Sequence, residues 1–162
     1  MAAAFTVRRA DYACAADAQA VVNMLDAYAS DPAGGGKPLS DYAKNHLVRE
    51  LAARPQAYSV LAFDAGQPVG LVNCIEGFST FACKPLVNVH DVAVLGSHRG
   101  RGVAAQMLAL AERIAQERGA VKMTLEVLSG NAPAVNLYRR IGYEGYQLDP
   151  EMGTAQFFQK WL

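Results

Sequence analysis

The chain has 162 residues, 52% of them hydrophobic and 19% charged, which is the length of one ordinary domain and the composition of a chain that folds. Its 15 Lys and Arg are matched by 15 Asp and Glu, so it lacks the basic excess with which a dedicated nucleic-acid binder displaces counterions, and no nucleic-acid partner is expected. The apolar start at residues 1–5 gives way to Arg8, Arg9 and Asp11, and no apolar run approaches the roughly 18 residues of a membrane span, so the expectation is a cytoplasmic protein with no membrane partner.

Residues 5–10 alternate apolar and polar positions like a first strand, and Val21, Val22, Leu25 and Ala29 then fall on one face of a helix. Residues 31–40 (DPAGGGKPLS) hold three consecutive glycines and two prolines and read as a flexible connector of the kind that shapes substrate access. Ser40 is placed to cap a second helix with Asp41 in its first turn, and Leu47, Val48 and Leu51 supply its buried stripe up to Arg54-Pro55. Residues 58–63 and 69–75 form two antiparallel strands around a tight turn at 64–67, and residues 86–94 make a further strand. A glycine-containing loop at 97–102 leads into a helix marked by Val103, Met107, Leu110 and Ile114. A strand over 121–128, a short helix over 131–141 and two final strands near 143–148 and 154–161 complete the order. Antiparallel pairs come first and one β-α-β crossover comes late, all within a single domain covering residues 1–162. Three cysteines, Cys14, Cys74 and Cys83, contain no CxxC pair, which fits reduced thiols better than a disulfide frame or a zinc site, and no metal is expected.

The chemistry concentrates between the fourth strand and the helix after it. Glycines at 100 and 102 allow positive φ, which turns backbone N–H groups toward a common point where the first helical turn adds partial positive charge. Such a turn cradles an anion, and His98, Arg99 and Arg101 add charge suited to a pyrophosphate. The same residues also suit a plain glycine turn with solvated arginines. GxxxxGK[ST] is absent, which excludes the P-loop hydrolases. Gly100, Gly102 and Ala105 satisfy a loose GxGxxA, but too little chain follows for the second half of a dinucleotide-binding fold.

Arg99-Gly100-Arg101-Gly102-Val103-Ala104 matches the pattern [R/Q]xxGx[G/A], and Asn131-Ala132-Pro133-Ala134-Val135-Asn136-Leu137-Tyr138-Arg139-Arg140-Ile141-Gly142-Tyr143 matches NxxAxxLYxxxGF except for its final Tyr. On these two segments the chain resembles the Gcn5-related N-acetyltransferase (GNAT) superfamily. The resemblance implies an α/β (α+β) fold, with a mixed, mostly antiparallel sheet splayed between strands four and five and flanked by about four helices. It implies an N-acetyltransferase that uses acetyl-CoA as co-substrate, with Arg99, Gly100, Arg101, Gly102, Val103 and Ala104 on the pyrophosphate. Main-chain groups of Val92, Ala93 and Val94, on a bulged fourth strand, would pair with the pantetheine arm, and Asn131 and Tyr138 would face the same crevice. Tyr138 would be the general acid, since a phenol with a reference pKa of about 10 is protonated at neutral pH and can donate to a departing thiolate.

The base is open between His90 and Asp91 at the end of strand four, where strand alternation would aim one of them into the cleft. Diamine-type members carry a glutamate where His90 stands, and Asp91 matches the acidic residue that follows it. Phe78-Ser79-Thr80-Phe81 and Lys84-Pro85 are similar to the segment before strand four in the diamine and thialysine acetyltransferase branch, which points to a small primary amine such as a polyamine or amino acid. Glu76, Asp31, Asp41, Tyr28 and Tyr42 are further pocket candidates beside Phe78. Many members pair as homodimers, so a homodimer is an expectation here. The alternatives are a non-catalytic acyl-CoA-binding regulatory module and an enzyme acting on protein lysines or N-termini.

Overall fold

A computed structural model describes residues 5–162. In chain order the elements are β1 (Thr6–Arg9), α1 (Ala15–Ser30), α2 (Asp41–Ala52), β2 (Ala57–Asp64), β3 (Gln67–Ser79), β4 (Lys84–Val94), α3 (Val103–Glu117), β5 (Met123–Leu125) and α4 (Ala132–Arg140). The strands form one sheet in sequence order, antiparallel from β1 to β4 and parallel between β4 and β5. This is the mixed, mostly antiparallel architecture expected of the sequence. The chain falls into two compact units, the first ending at Leu125 and the second running over Glu126–Leu162.

In the first unit the sheet is covered on both faces, which is why β2 is buried over six consecutive residues rather than at alternate ones. On one face Leu61, Leu71 and Ala93 pack with Ala20, Val21 and Met24 of α1, and Leu47, Val48 and Leu51 of α2 close the edge of that cluster. On the other lie Tyr58, Val60, Val72 and Cys74 under α3, where the Tyr58 hydroxyl donates to the Ala111 carbonyl at 2.8 Å. Each fully buried aliphatic side chain contributes about 1.5–3 kcal/mol. The buried stripe of α3 is Val103, Met107, Leu108, Ala111, Ile114 and Ala115, and Leu110, expected on it, is half-buried. Helix and sheet approach closely at Gly70, where an added Cβ would lie 2.7 Å from the Met107 terminal methyl and 3.0 Å from Val103.

Local signals account for the helix and turn boundaries. The Ser40 hydroxyl accepts from the Ala43 amide and so caps α2, and Ala65 and Gly66 take positive φ in the β2–β3 turn. The connector at 31–40 is tied down more than its glycines suggest. It holds a short 3-10 turn at Pro32–Gly34, and the Leu39 amide donates to Asp26 Oδ1 at 2.8 Å. β5 is shorter than the expected 121–128, although backbone bonding to β4 begins at Val121, whose amide donates to the Pro85 carbonyl at 2.9 Å, and the ladder ends at Leu125 opposite Val89.

In the second unit the two expected closing strands reduce to a single antiparallel bridge, Gln147 with Thr154. Asp149-Pro150 starts a 3-10 turn and Gly153 ends it with φ of 80°. The apolar side chains on either side, Leu148, Phe157, Phe158 and Trp161, are exposed, so burial does not stabilise a ladder there.

Candidate active site

β4 changes register at one point. Cys74 of β3 pairs with Val89 while its neighbour Asn73 pairs with Asp91, which leaves His90 as an inserted residue, a β-bulge. The parallel ladder with β5 ends at Val89, opposite Leu125, the last residue of β5. The bulge also resets side-chain alternation. Asn88 and His90 share a face, their side chains hydrogen-bonded to each other, and Asp91 joins that face because Asn73 Nδ2 donates to its Oδ2 at 3.0 Å. Alternation alone sends His90 and Asp91 to opposite sides; the inserted residue brings both to the side covered by α1. Tyr28 of α1 packs against the cluster of Leu61, Leu71 and Ala93 on that side of the sheet, and burial, then the carboxylates of Asp91 and Asp31, push its phenol above the ordinary value.

The main chain of Val92, Ala93 and Val94 divides between two edges. The Leu95 amide donates to the Val69 carbonyl at 3.0 Å, so by the two-residue alternation of an antiparallel ladder Ala93 is bonded to β3. The backbone groups of Val92 and Val94 turn to the opposite edge of β4. There the Val94 carbonyl accepts from Arg99 Nε at 3.1 Å.

After β4 a 3-10 turn at Gly96–His98 leads into the arginine–glycine loop. Gly100 and Gly102 have φ of 73° and 81°, and Gly102 is the N-cap of α3 with no side chain capping the helix. The first intrahelical bond runs from the Gln106 amide to the Gly102 carbonyl. The first-turn amides of Val103, Ala104 and Ala105 are therefore available to an anion at the positive end of a 15-residue helix.

The arginine side chains have protein partners. Arg99 Nη2 lies 2.7 Å from Asp31 Oδ2, and that pairing, together with the Ala33 amide, holds the Asp31 carboxyl below the usual range. Arg101 Nη1 is 3.5 Å from Asp64 Oδ2, and its guanidinium lies 5.0 Å from the Phe5 ring centre. His98 Nε2 meets the same Asp64 oxygen at 3.1 Å. The basic side chains thus tie this loop to the loop after α1 and to the β2–β3 turn.

In the second unit, Asn131 caps α4 by accepting the Ala134 amide at 3.3 Å, and Pro133 occupies the first turn. Tyr138 is 9% exposed and packs edge-on to Tyr143, with ring centres 5.9 Å apart.

The other candidates are placed elsewhere in the first unit. Glu76 shares the face of Cys74 and pairs with Arg118 at 3.0 Å, near the end of α3. Tyr42 stacks on His46 at 4.2 Å between ring centres and is exposed, as are Phe78 and Phe81 by the β3–β4 turn. Asp41 is exposed in the first turn of α2. Burial pushes the Cys74 thiol up to about 12, which removes it as a nucleophile at neutral pH. Asn73, the partner of Asp91, escapes a search for reactive groups, although a lone Asn in the apolar run VGLVNCI is a visible break.

The bulged fourth strand runs through a glycine turn into a helix with no side-chain cap, in a fold shared with solved acetyltransferases. An aminoglycoside N-acetyltransferase solved in complex with CoA shares the fold, with a TM-score of 0.71 over 97% of this chain and 95% of that one at 19% identity. The profile of the acetyltransferase (GNAT) family matches residues 21–143, and the chain belongs to that family and is an N-acetyltransferase. It is 36% identical over 130 residues to a streptothricin acetyltransferase of Streptomyces lavendulae, covering 67% of this chain and 69% of that protein. It is 40% identical over 74 residues to an L-methionine sulfoximine/L-methionine sulfone acetyltransferase of Pseudomonas aeruginosa, covering 45% of this chain and 41% of that protein. Among the described residues no helix is long and apolar enough to cross a membrane.

Proposed function

We propose that this enzyme transfers the acetyl group of acetyl-CoA directly to the primary amine of a small molecule. The observation that carries the reading is the entrance to α3, where two left-handed glycines lead into a helix with no side-chain cap. A side chain at Gly100 would meet nothing within 4 Å, and one at Gly102 would meet Gln106 alone. The glycines therefore serve backbone conformation rather than packing, as amides gathered on a diphosphate require. Acetyl-CoA supplies the thioester, and the outward backbone groups of Val92 and Val94 are suited to its pantetheine amides.

The acceptor reaches the enzyme as an ammonium ion. A lysine-like amine with a pKa near 10.4 costs roughly 4–5 kcal/mol to present neutral at pH 7. Asp91 offers its carboxylate to that cation, Tyr28 stands near it, and His90 beside Asn88 is exposed on the same face. As the N–C bond forms and the C–S bond breaks, the amine proton passes to a base on this face or to water, and Tyr138 gives its phenolic proton to the sulfur. We read both units as parts of one domain, since the family match spans residues 21–143 and so crosses the division after Leu125.

Phe78 and Phe81 stand in solvent, so a diamine or thialysine acceptor rests on the sequence segment alone. The relatives named for streptothricin and methionine sulfoximine widen the class to antibiotic and amino-acid amines. The test is an assay of released CoA thiol with acetyl-CoA and diamines, amino acids, aminoglycosides, streptothricin, methionine sulfoximine and lysine peptides. Turnover on one of the small amines is expected. Turnover confined to peptides, or CoA binding with no turnover on any amine, overturns the reading.

A further inference from the structure

We propose that Tyr12, Ser59 and Asn73 are positioning residues for Asp91, acting as a one-way chain of hydrogen bonds that runs across the sheet and ends on its carboxylate. The inference rests on the reading that Asp91 meets the acceptor amine. Ser59 of β2 stands opposite Asn73 of β3, and Asn73 opposite Asp91 of β4, so the three form a row perpendicular to the strands. Tyr12 extends the row just beyond β1, where the Ala10 amide donates to the Ser59 carbonyl at 2.9 Å. The contacts are Tyr12 hydroxyl to Ser59 Oγ at 2.7 Å, Ser59 Oγ to Asn73 Oδ1 at 2.6 Å, and Asn73 Nδ2 to Asp91 Oδ2 at 3.0 Å.

The direction of each bond follows from the chemistry of its ends. An ionised carboxylate accepts only, so Asn73 must turn its amide nitrogen toward Asp91 and its carbonyl toward Ser59. That carbonyl also accepts only, so Ser59 donates its single hydroxyl proton there. Tyr12 is then left as the donor to Ser59. Every proton in the row points toward Asp91, and low-dielectric surroundings let such bonds polarise one another.

Two features separate this row from ordinary core polarity. Ser59 is 0% and Asn73 4% exposed, and their buried neighbours along β2 and β3 are apolar, where a polar pair disfavours burial unless it is fully bonded. The row also needs the bulge, because an unbroken register from Val89 would set His90 against Asn73. Asp91 Oδ2 is thus occupied, and Oδ1 receives no hydrogen bond among the described residues. The carboxylate is held by one oxygen and presents the other.

The test uses the full chain with Ser59→Ala and, because Tyr12 is only half-buried, Tyr12→Phe as the variant that tolerates loss of its partner. With streptothricin as the probe amine, each is expected to raise KM for the amine about 5–10-fold, the size of one net hydrogen bond, while KM for acetyl-CoA stays within about twofold. Without any amine, the two side-chain amide protons of Asn73 should give well-separated NMR signals that converge in Ser59→Ala and Asp91→Asn. Unchanged amine KM in both hydroxyl variants overturns the inference. If streptothricin is not acetylated, the NMR signals decide: Asn73 protons indifferent to Ser59→Ala and Asp91→Asn overturn it equally. If Asp91→Asn itself leaves amine KM unchanged, the amine-site reading fails instead; if Asp91→Asn raises KM and the hydroxyl variants do not, the positioning inference alone fails.

Discussion

Gly102 is the residue at which the proposed cradle can be tested with the least disturbance. Its φ of 81° and ψ of 7° lie in the left-handed region, and a Cβ there would approach nothing nearer than Gln106 Nε2 at 3.9 Å. Gly102→Ala therefore adds no clash, and its cost is the left-handed conformation itself, about 1–2 kcal/mol for a residue with a Cβ. That cost can appear in two places. If the loop keeps its shape, the folded state carries the strain, and Tm falls by about 2–8 °C for a chain of this size. If the loop relaxes, its amides turn away and CoA must restore them, weakening binding by about 5–30-fold. The two losses together should come to about 1–2 kcal/mol. Thermal unfolding and calorimetric titration with CoA measure both. Gly102→Asn should lose less, because Asn enters the left-handed region more readily. Gly96→Ala, in the same loop but without positive φ or a near neighbour, should lose neither. Unchanged Tm and unchanged CoA affinity in Gly102→Ala would refute the reasoning.

Tyr138→Phe should lower turnover by about 10²-fold with little change in CoA affinity, as removal of a general acid does; steady-state kinetics and titration separate the two. Asp17, 1% exposed, takes two hydrogen bonds of 2.6 Å from Arg8 and one of 2.8 Å from the Asp11 amide, so Asp17→Ala should cost about 2 kcal/mol in urea unfolding, less than a fully buried pair because Arg8 is nearly half in solvent. Arg8, and then the Asp11 amide, hold the Asp17 carboxyl below its usual range against the opposing effect of burial; its contribution is whole above the unfolded value of about 4 and fades as pH falls below it, so Asp17→Asn should show a shallower acid-side loss of Tm. Iodoacetamide at pH 8 should add to the exposed Cys14 and Cys83 and spare Cys74, giving two adducts by mass spectrometry.

The features legible in the sequence are those decided within a few residues. Ser40 declares itself as a cap by standing just before the apolar stripe of α2, and its hydroxyl does accept the amide three residues on. Gly100 and Gly102 declare themselves because few other residues tolerate their φ. The fate of Arg99 and Arg101 was not legible, since their carboxylates come from Asp31 and Asp64, far along the chain. The two final strands do not form for a related reason: Phe157, Phe158 and Trp161 carry strand propensity, yet propensity without a buried face does not make a ladder.

The bulge at His90 shows most directly why the amine-facing residues resist sequence reading. Alternation is a parity rule, and one inserted residue reverses it for all that follows on the strand. Neither neighbour of His90 is a glycine, and Val89, His90 and Asp91 are compatible with an unbroken strand. What selects the insertion is register against β3. With Val89 against Cys74 on the α3 face, a regular strand would put His90 opposite Asn73, with Asp91 then facing α3. A carboxylate beneath that helix would meet aliphatic side chains, which strongly disfavours the charge. The bulge turns Asp91 instead to the face where Asn73 supplies a donor, and in the same step turns the backbone groups of Val92 and Val94 away from β3. One irregularity thus sets both the face of the carboxylate and the direction of the main chain after it, so restoring the register would turn Asp91 and the backbone groups of Val92 and Val94 together.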